Sequence, residues 1–229
     1  MMFLSDALAS AGHLLWTLDP RVVAAAVVSL KVALASTVLA AVLGVPVGFA
    51  VAARDFRGRR ALQVTLNTLT ALPTVVVGLL AYALLSRRGP LGVWGLLYTQ
   101  SAMVFGETIL VTPLLAALTM GVISGADPRV EQTALTLGAS RLAAALTVLA
   151  EMRWGVLVAV AAGFGRLISE LGVALMVGGN IQNATRTMTT AIALETSKGD
   201  FAFGFALGLI LLTLALGVNL GVAIFAPRR

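Results

Sequence analysis

Long apolar stretches alternate with short polar loops along this chain, and five of these stretches are long enough to cross a bilayer. A helix needs about 20 consecutive apolar residues to span the hydrocarbon core. The first span is expected to continue a helical extension from Val22 and to bend near Gly44, Pro46 and Gly48. The pattern indicates an all-α integral membrane protein. We predict spans over residues 33–53, 63–85, 101–123, 156–177 and 201–225.

Composition supports this fold class and excludes several others. Hydrophobic residues make up 59% of the 229 residues and charged residues only 11%, with a mean hydropathy of +0.98. Soluble domains rarely have such values, and five spans leave no room for a sizeable soluble domain. The chain has no cysteine, which excludes disulfides and thiolate metal sites. Its net charge of +6 does not indicate nucleic-acid binding, because the basic residues lie at the ends of apolar stretches.

The lysines and arginines of the loops predict the orientation of the chain in the membrane. Five spans put the termini on opposite sides, and the side whose short loops carry more basic residues faces the cytoplasm. The richer side has Arg54, Arg57, Arg59, Arg60, Arg129, Arg141, Arg153, Arg228 and Arg229. The other side has Arg21, Lys31, Arg87, Arg88, Arg186 and Lys198. We therefore predict an outer N-terminus and a cytoplasmic C-terminus.

Residues 1–21 are predicted to form a surface segment rather than a signal peptide. The N-terminus lacks a basic region, and Asp6, His13 and Asp19 interrupt its apolar residues. A short helix lying on the membrane surface fits this mixture of polar and apolar positions better.

A polar helical segment, residues 127–140, lies between the third and fourth spans, and we name it the docking segment. Asp127 offers an N-cap acceptor, and Pro128 suits the first helical position. Residues at i, i+3, i+4 and i+7 share one face of a helix. That face would carry an acid, two apolar side chains and a glycine that permits close approach, namely Glu131, Ala134, Leu135 and Gly138. The segment is expected to be a surface for a cytoplasmic partner.

The docking segment resembles the cytoplasmic EAA loop of type I ABC importer permeases, whose pattern is matched by Glu131, Ala134 and Gly138. Thr133 replaces the second alanine of that pattern. The closing Ile-x-Leu-Pro becomes Val148-Leu-Ala-Glu151, which removes the usual proline. Without that proline, the helix that enters the fourth span is expected to bend less.

Two further stretches make the resemblance more specific. Residues 72–78 and 86–92 look like the second span and outer loop of molybdate and tungstate permeases, and residues 178–200 are similar to the tungstate branch. The resemblance covers the chain from about Val22 to its C-terminus. It implies a type I ABC transmembrane domain over residues 22–226, in which residues 127–140 form the coupling helix. The implied substrate is tungstate, with molybdate or another oxyanion as the alternative.

The resemblance also implies partners, because the chain lacks a nucleotide site of its own. No Gly-x-x-x-x-Gly-Lys-Ser/Thr motif occurs in the sequence. Two copies of a separate ATPase would dock beneath a permease homodimer in a prokaryotic plasma membrane, and an external solute-binding protein would deliver the anion. No metal or other cofactor is expected. A stand-alone secondary transporter would show an internal repeat and more helices. An intramembrane enzyme lacks a base, since the one histidine, His13, lies outside the spans.

Arg166 and Glu170 are the charged residues closest to the centre of a predicted span. Each costs at least about 2.5 kcal/mol near the bilayer centre, so both require partners. Their i, i+4 spacing on a helix permits an ion pair. One interpretation is a structural salt bridge. The other is a pair that lines or gates the anion path, which the resemblance favours because molybdate permeases have a similar Arg and Glu-x-Gly here.

Two other polar positions have competing interpretations. Glu107 in the third span could pair with Arg87 or Arg88 at the outer mouth, or could be an interfacial acid without a transport role. Thr185, Arg186 and Thr187 offer a cation and hydroxyl donors suited to a tetrahedral oxyanion in the outer vestibule. The competing interpretation of these threonines is ordinary capping of the loop.

Overall fold

The structure is a computed structural model that describes residues 9, 11–14 and 16–225, and every regular element from Pro20 onward is helical. A single 3-10 turn, Gly92–Trp94, interrupts the loop before the fourth helix. The helices are α1 (Pro20–Ala53), α2 (Arg59–Thr70), α3 (Thr74–Leu85), α4 (Gln100–Ser124), α5 (Pro128–Thr136), α6 (Arg141–Glu151), α7 (Arg153–Ile168), α8 (Gly172–Gly178), α9 (Met188–Ser197) and α10 (Phe201–Phe225).

Three helices, α1, α4 and α10, are each long and apolar enough to cross a membrane alone. Two bent pairs meet the same criteria together, α2 with α3 and α6 with α7. When each pair counts as one span, the chain has the five spans that the sequence pattern predicts. The pairs bend by 97° and 64°, respectively. The fold therefore combines three continuous spans with two broken ones.

The continuous helices α1 and α4 form the centre of the fold and approach each other through glycine. A Cβ atom at Gly44 would lie 2.7 Å from the carbonyl oxygen of Thr112, and one at Gly48 would overlap that of Ala116. Only hydrogen fits between the two backbones at these positions. We expected these glycines to bend the first span. Helix α1 continues through Pro46 as one helix, the bend stays a prediction, and the glycines serve close packing.

The predicted span over residues 63–85 is broken into two helices. Helix α2 ends at Thr70, and α3 begins at Thr74 after Pro73, which has extended φ and ψ of −61° and 129°. Proline has no N–H for the ladder of the preceding turn and disfavours helical geometry at the residue before it. The backbone therefore turns by 97° at this point.

The predicted fourth span, residues 156–177, is also interrupted. Helix α7 ends at Ile168 and α8 starts at Gly172, so Glu170 lies between two helices rather than within one. At the other end of α7, α6 and α7 meet at 64° although no proline lies between them. The predicted reduction of this bend relative to permeases with the proline stays a prediction. Met152 is buried at that bend beside Ile123 and Val148. Gly155, one turn further, lets α7 approach the Val122 side chain closely.

The loops form two groups at opposite ends of the long helices. One group includes residues 54–58 and the docking segment, which together line a single cavity. The other includes the start of α1 and residues 86–99 and 179–187, where the Gln100 side-chain amide donates to the carbonyl oxygen of Ala184 (2.7 Å). Residues 1–8, 10 and 15 of the N-terminal surface segment, as well as Arg228 and Arg229, lie outside the described residues. The grouping agrees with the two sets of loops deduced from the charge pattern.

Candidate functional site

The docking segment begins as the sequence predicts. The Asp127 side chain accepts a hydrogen bond from the backbone N–H of Arg129 (2.9 Å), and Pro128 is the first residue of α5. This cap satisfies one of the N–H groups left without partners at a helix start. The helix therefore begins immediately after the end of α4, and its position is fixed by local sequence.

The end of the docking segment differs from the prediction. Helix α5 ends at Thr136, and Gly138 follows with a φ of +88°, in the left-handed region. Gly138 therefore terminates the helix and does not share its face with Glu131. The backbone N–H of Ala139 donates to the carbonyl oxygen of Ala134 (3.0 Å), which closes the turn. Glycine suits this position because a side chain would strain the backbone there.

The surface of the docking segment is polar apart from two leucines. Val130 and Ala134 are half-buried, and Val130 packs on the cluster around Ile123. Leu135 is exposed, and Leu137 is 83% exposed, although the sequence pattern did not single it out. The signal was present in the sequence as an apolar residue immediately before a helix-ending glycine. Glu131 and Leu135 border a cavity of about 640 Å³ lined also by Phe49, Ala50, Ala53, Arg54, Asp55, Arg141, Leu142 and Ala145.

Arg166 and Glu170 form the predicted ion pair in a different local setting. Arg166 Nη1 lies 2.6 Å from Glu170 Oε2. The other carboxylate oxygen accepts backbone N–H groups of Gly172 (2.8 Å) and Val173 (3.3 Å) at the start of α8. The Glu170 side chain is 1% exposed, whereas that of Arg166 is 40% exposed. Glu170 thus holds the helix break together, and Arg166 presents part of its guanidinium outward.

A cavity of about 340 Å³ adjoins this pair, and we name it the break cavity. It lies where the two interrupted spans meet, between the start of α3 and the loop that joins α7 to α8. A Cβ atom at Gly172 would overlap the Thr74 hydroxyl, so α8 packs directly on the first turn of α3. The cavity is lined by Thr74, Val75, Arg166, Ser169, Glu170, Leu171, Gly172, Leu175 and Met176.

Glu107 lies inside the helix bundle, where its side chain makes contact with α1. The residue is 2% exposed, and its Oε2 lies 3.1 Å from Ser36 Oγ. Neither predicted alternative holds, because the carboxyl group is buried in the interface between α1 and α4, away from Arg87, Arg88 and solvent. Sequence position alone did not show which face of the third span would be turned inward.

Thr185, Arg186 and Thr187 hold the loop of residues 179–187 in place. The Thr185 hydroxyl donates to the carbonyl oxygen of Gly178 (2.5 Å). The Arg186 guanidinium donates to Asn180 and lies 3.7 Å from Glu195. Thr187 forms a capping box with Thr190 at the start of α9. These contacts support the capping interpretation, and direct contact with an anion stays a prediction.

Comparison with known proteins places this architecture in a family. Residues 44–229 match the family described as the inner membrane component of binding-protein-dependent transport systems. The chain belongs to this family. Its resemblance to ABC importer permeases is therefore confirmed. Counting back from Gly138, the acidic position of the EAA pattern falls on Gln132, so Glu131 lies one residue before it.

Several permeases are similar to this one over most of its length. A probable anion ABC transporter permease of Haloferax volcanii is 42% identical over 88% of this chain and 89% of its own. The tungstate uptake permease TupB of Peptoclostridium acidaminophilum is 36% identical over 96% of both chains. TupB of Campylobacter jejuni is 42% identical over 72% of this chain and 69% of its own.

A solved structure confirms the fold class of the permease. The chain superimposes on a subunit of a bacterial ABC transporter that imports the acidic polysaccharide alginate, with a TM-score of 0.71. The superposition covers 91% of this chain and 81% of that subunit at 15% identity. At this identity the likeness concerns the fold alone. The family match and the apolar helices together support a multi-pass permease of the inner membrane.

Proposed function

We propose that the chain is the permease subunit of an ABC importer that carries tungstate into the cell. The observation that supports the substrate is the similarity to TupB of Peptoclostridium acidaminophilum, which extends over 96% of both chains. The anion permease of Haloferax volcanii supports an oxyanion more broadly. Molybdate and other oxyanions share tetrahedral geometry and negative charge with tungstate, and they are the alternatives to be tested.

The assembly that we propose contains two copies of this permease and two copies of a separate ATPase. The docking segment is the proposed contact with the ATPase, through Glu131, Ala134 and Leu135 together with the turn at Gly138. Its exposed Leu135 and the neighbouring cavity of about 640 Å³ offer a surface for another protein. The permease itself hydrolyses no ATP in this scheme. An external binding protein meets the opposite end of the helices.

The proposed orientation places the docking segment in the cytoplasm and the N-terminus outside. The loop at residues 54–58 has two arginines, Arg54 and Arg57, and Arg54 lines the same cavity as Glu131. The positive charge of that end supports its cytoplasmic location. Thr185, Arg186 and Thr187 lie at the other end, where we propose that they shape the entrance for the anion.

Reconstitution of the complete complex tests the proposed function. The permease, its ATPase and its binding protein are assembled in liposomes, and ATP-dependent uptake of tungstate, molybdate and sulfate is measured at equal concentrations. We expect tungstate to be imported fastest and to be displaced poorly by sulfate. Faster import of molybdate would reassign the substrate. Failure to import any oxyanion, with the ATPase still bound and active, would overturn the proposal.

A further inference from the structure

The break cavity is formed by both interrupted spans of the permease. Thr74 and Val75 belong to the first turn of α3, directly after the 97° bend. Ser169 and Leu171 belong to the connection between α7 and α8. Interrupted helices within a membrane are tolerated only where protein or a water-filled cavity surrounds the open backbone. The meeting of two such breaks marks this cavity as an unusual place in the bundle.

The depth of Arg166 shows that the break cavity faces water or protein rather than lipid. Arg166 is the fourteenth residue of α7, which places it roughly 20 Å along the helix from Arg153. A charged side chain at that depth is costly when it faces hydrocarbon. Its 40% exposure therefore indicates an aqueous or subunit-enclosed space in the assembled transporter.

The break cavity also contains hydrogen-bond donors that the described part of the chain leaves free. Arg166 uses Nη1 for Glu170, whereas its Nε and Nη2 have no partner among the described residues. The Thr74 hydroxyl lines the cavity and likewise makes no hydrogen bond within the described residues. Guanidinium and hydroxyl groups are the donors that bind tetrahedral oxyanions. The remaining wall is mostly apolar, which is typical of a small-molecule site.

We propose that the break cavity is a transient binding station for the oxyanion within the membrane, where Arg166 and Thr74 donate to it. This inference rests on the proposed import of an oxyanion and adds the place at which the anion pauses. The station needs no residue that the ATPase or the binding protein contacts. It predicts that selectivity for anions is partly a property of the permease.

Glu170 makes such a station usable for transport. Its carboxylate neutralises one side of the Arg166 guanidinium, and the N–H groups of Gly172 and Val173 hold that carboxylate in place. An unpaired arginine would bind a dianion tightly and release it slowly. Conduction requires binding that is favourable enough for entry and weak enough for exit. The paired arginine meets both conditions because only part of its charge faces the cavity.

Single cysteines test the station directly, because the chain contains none. Ser169→Cys places a thiol on the cavity wall, and Ser197→Cys places one on the exposed end of α9 as the control. In the full complex, each is treated with anionic and with cationic methanethiosulfonate reagents. We expect the anionic reagent to modify Ser169→Cys about 10-fold faster than the cationic one. We also expect tungstate to slow that modification but not the modification of Ser197→Cys.

A second pair of variants measures the role of Thr74 in uptake. Thr74→Val keeps the shape and removes the hydroxyl, whereas Thr74→Ser keeps the hydroxyl. We expect Thr74→Val to reduce the initial rate of tungstate uptake about 10-fold and Thr74→Ser to retain most of it, because one hydrogen bond to a charged group is lost. Binding of the ATPase and the binding protein, measured by co-purification, should be unchanged in both variants.

The outcomes distinguish a failure of the proposed station from a failure of the proposed substrate. Equal modification of Ser169→Cys by both reagents, in a complex that imports tungstate, would overturn the station and leave the importer intact. Equal uptake by Thr74→Val and the unmodified chain would do the same. If the complex imports another oxyanion instead of tungstate, the substrate proposal fails, and protection of Ser169→Cys by that other anion would still support the station.

Discussion

The docking segment and the break cavity contain polar residues in opposite arrangements. On the docking segment, Glu131 and Leu135 are exposed, and the Leu137 side chain is almost fully in solvent. In the break cavity, Glu170 is buried and each of its carboxylate oxygens has a partner. The exposed side chains of the docking segment are therefore available for contact with another protein. In the break cavity the Glu170 carboxylate is fully paired, and the groups left free among the described residues are hydrogen-bond donors of Arg166 and Thr74.

This difference reflects two separate requirements of a permease, contact with another subunit and compensation of charge within the membrane. A surface that couples to another subunit must be available for it, so its apolar residues stay exposed in the isolated chain. A charged group within the membrane must be compensated at all times, because an uncompensated charge costs at least about 2.5 kcal/mol there. Substitutions in the two regions should therefore fail in different ways, and those failures can be measured separately.

The largest effect is expected for single neutralisation of the ion pair. Arg166→Gln leaves the buried Glu170 carboxylate without its cation, and Glu170→Gln leaves Arg166 without its anion. We expect Arg166→Gln to reduce the yield of folded permease severely, since a buried carboxylate that loses its partner costs about 3–5 kcal/mol. Glu170→Gln should reduce the yield less, because Arg166 is 40% exposed. Fluorescence-detected size-exclusion chromatography and thermal unfolding in detergent measure this.

The double variant, Arg166→Gln with Glu170→Gln, sharpens the comparison. No uncompensated charge remains, so folding and ATPase binding should largely recover. Uptake should recover only in part, because the station has lost its guanidinium. Full uptake by the double variant would show that the pair is structural alone. Failure of the double variant to fold would show that the two side chains are needed for reasons other than charge.

A smaller effect on folding, but a complete effect on coupling, is expected at the docking segment. Leu137→Asp changes an exposed side chain and should leave insertion and folding intact. We expect it to abolish co-purification of the ATPase and ATP-dependent uptake, because a charge replaces apolar surface at the proposed contact. Val93→Asp, in the 3-10 turn at the other end of the helices, changes a comparably exposed apolar side chain and should retain co-purification of the ATPase.

Two substitutions of Gly138 test whether its left-handed backbone conformation is needed for the contact with the ATPase. Gly138→Asn tolerates the left-handed conformation, whereas Gly138→Leu does not. We expect Asn to retain coupling and Leu to lose it, with normal insertion in both variants. Uptake at the original rate by Gly138→Leu would exclude the turn at Gly138 from the contact with the ATPase.

Glu107 provides a prediction of small effect in the interior. Ser36 Oγ lies 2.7 Å from the Val32 carbonyl oxygen and 3.1 Å from Glu107 Oε2, but a hydroxyl has a single hydrogen to donate. If the shorter contact takes that hydrogen, the carboxyl group must supply the other. Glu107→Gln should therefore be nearly neutral, whereas Glu107→Ala should lower stability by about 1–3 kcal/mol. Equal destabilisation by both substitutions in thermal unfolding would contradict a neutral carboxyl group.

Labelling from each side tests the orientation without changing function. Arg57→Cys and Gln182→Cys introduce thiols at exposed loop residues, next to Gly58 and Asn183, whose positive φ makes them poorer choices. In intact cells, an impermeant thiol reagent should modify Gln182→Cys only, and Arg57→Cys should react after the membrane is opened. The reverse pattern would place the docking segment outside and remove its proposed contact with an ATPase.

The sequence predicted the number of spans because hydrophobicity over 20 residues depends little on local geometry. It also predicted the cap at Asp127 and the spacing of Arg166 and Glu170. Both interruptions were missed for a common reason. Apolar residues continue through each break, so the hydropathy of residues 63–85 hides a 97° bend and that of residues 156–177 hides the end of one helix and the start of the next. Pro73 was a signal for the first break, and no comparable residue marks the second.

The candidate site was only partly predictable for a similar reason. The sequence identified the charged pair, but Thr74 is distant from it along the chain and becomes its neighbour only when α8 packs on α3. Likewise, the face of α4 that contains Glu107 is decided by the contact with α1. Leu137 and Gly138 depend on where α5 ends, and helix ends are the least certain feature of a sequence pattern.

The glycines between α1 and α4 also determine the relative position of those helices along their length. Gly44 and Gly48 face the carbonyl oxygens of Thr112 and Ala116, with no side chain between the backbones. If α1 slid by one residue, the side chain of Val45 would meet a backbone that has room only for hydrogen. The two longest contacting helices are therefore locked in register. Any movement of the permease that preserves this contact must move α1 and α4 together as one rigid body.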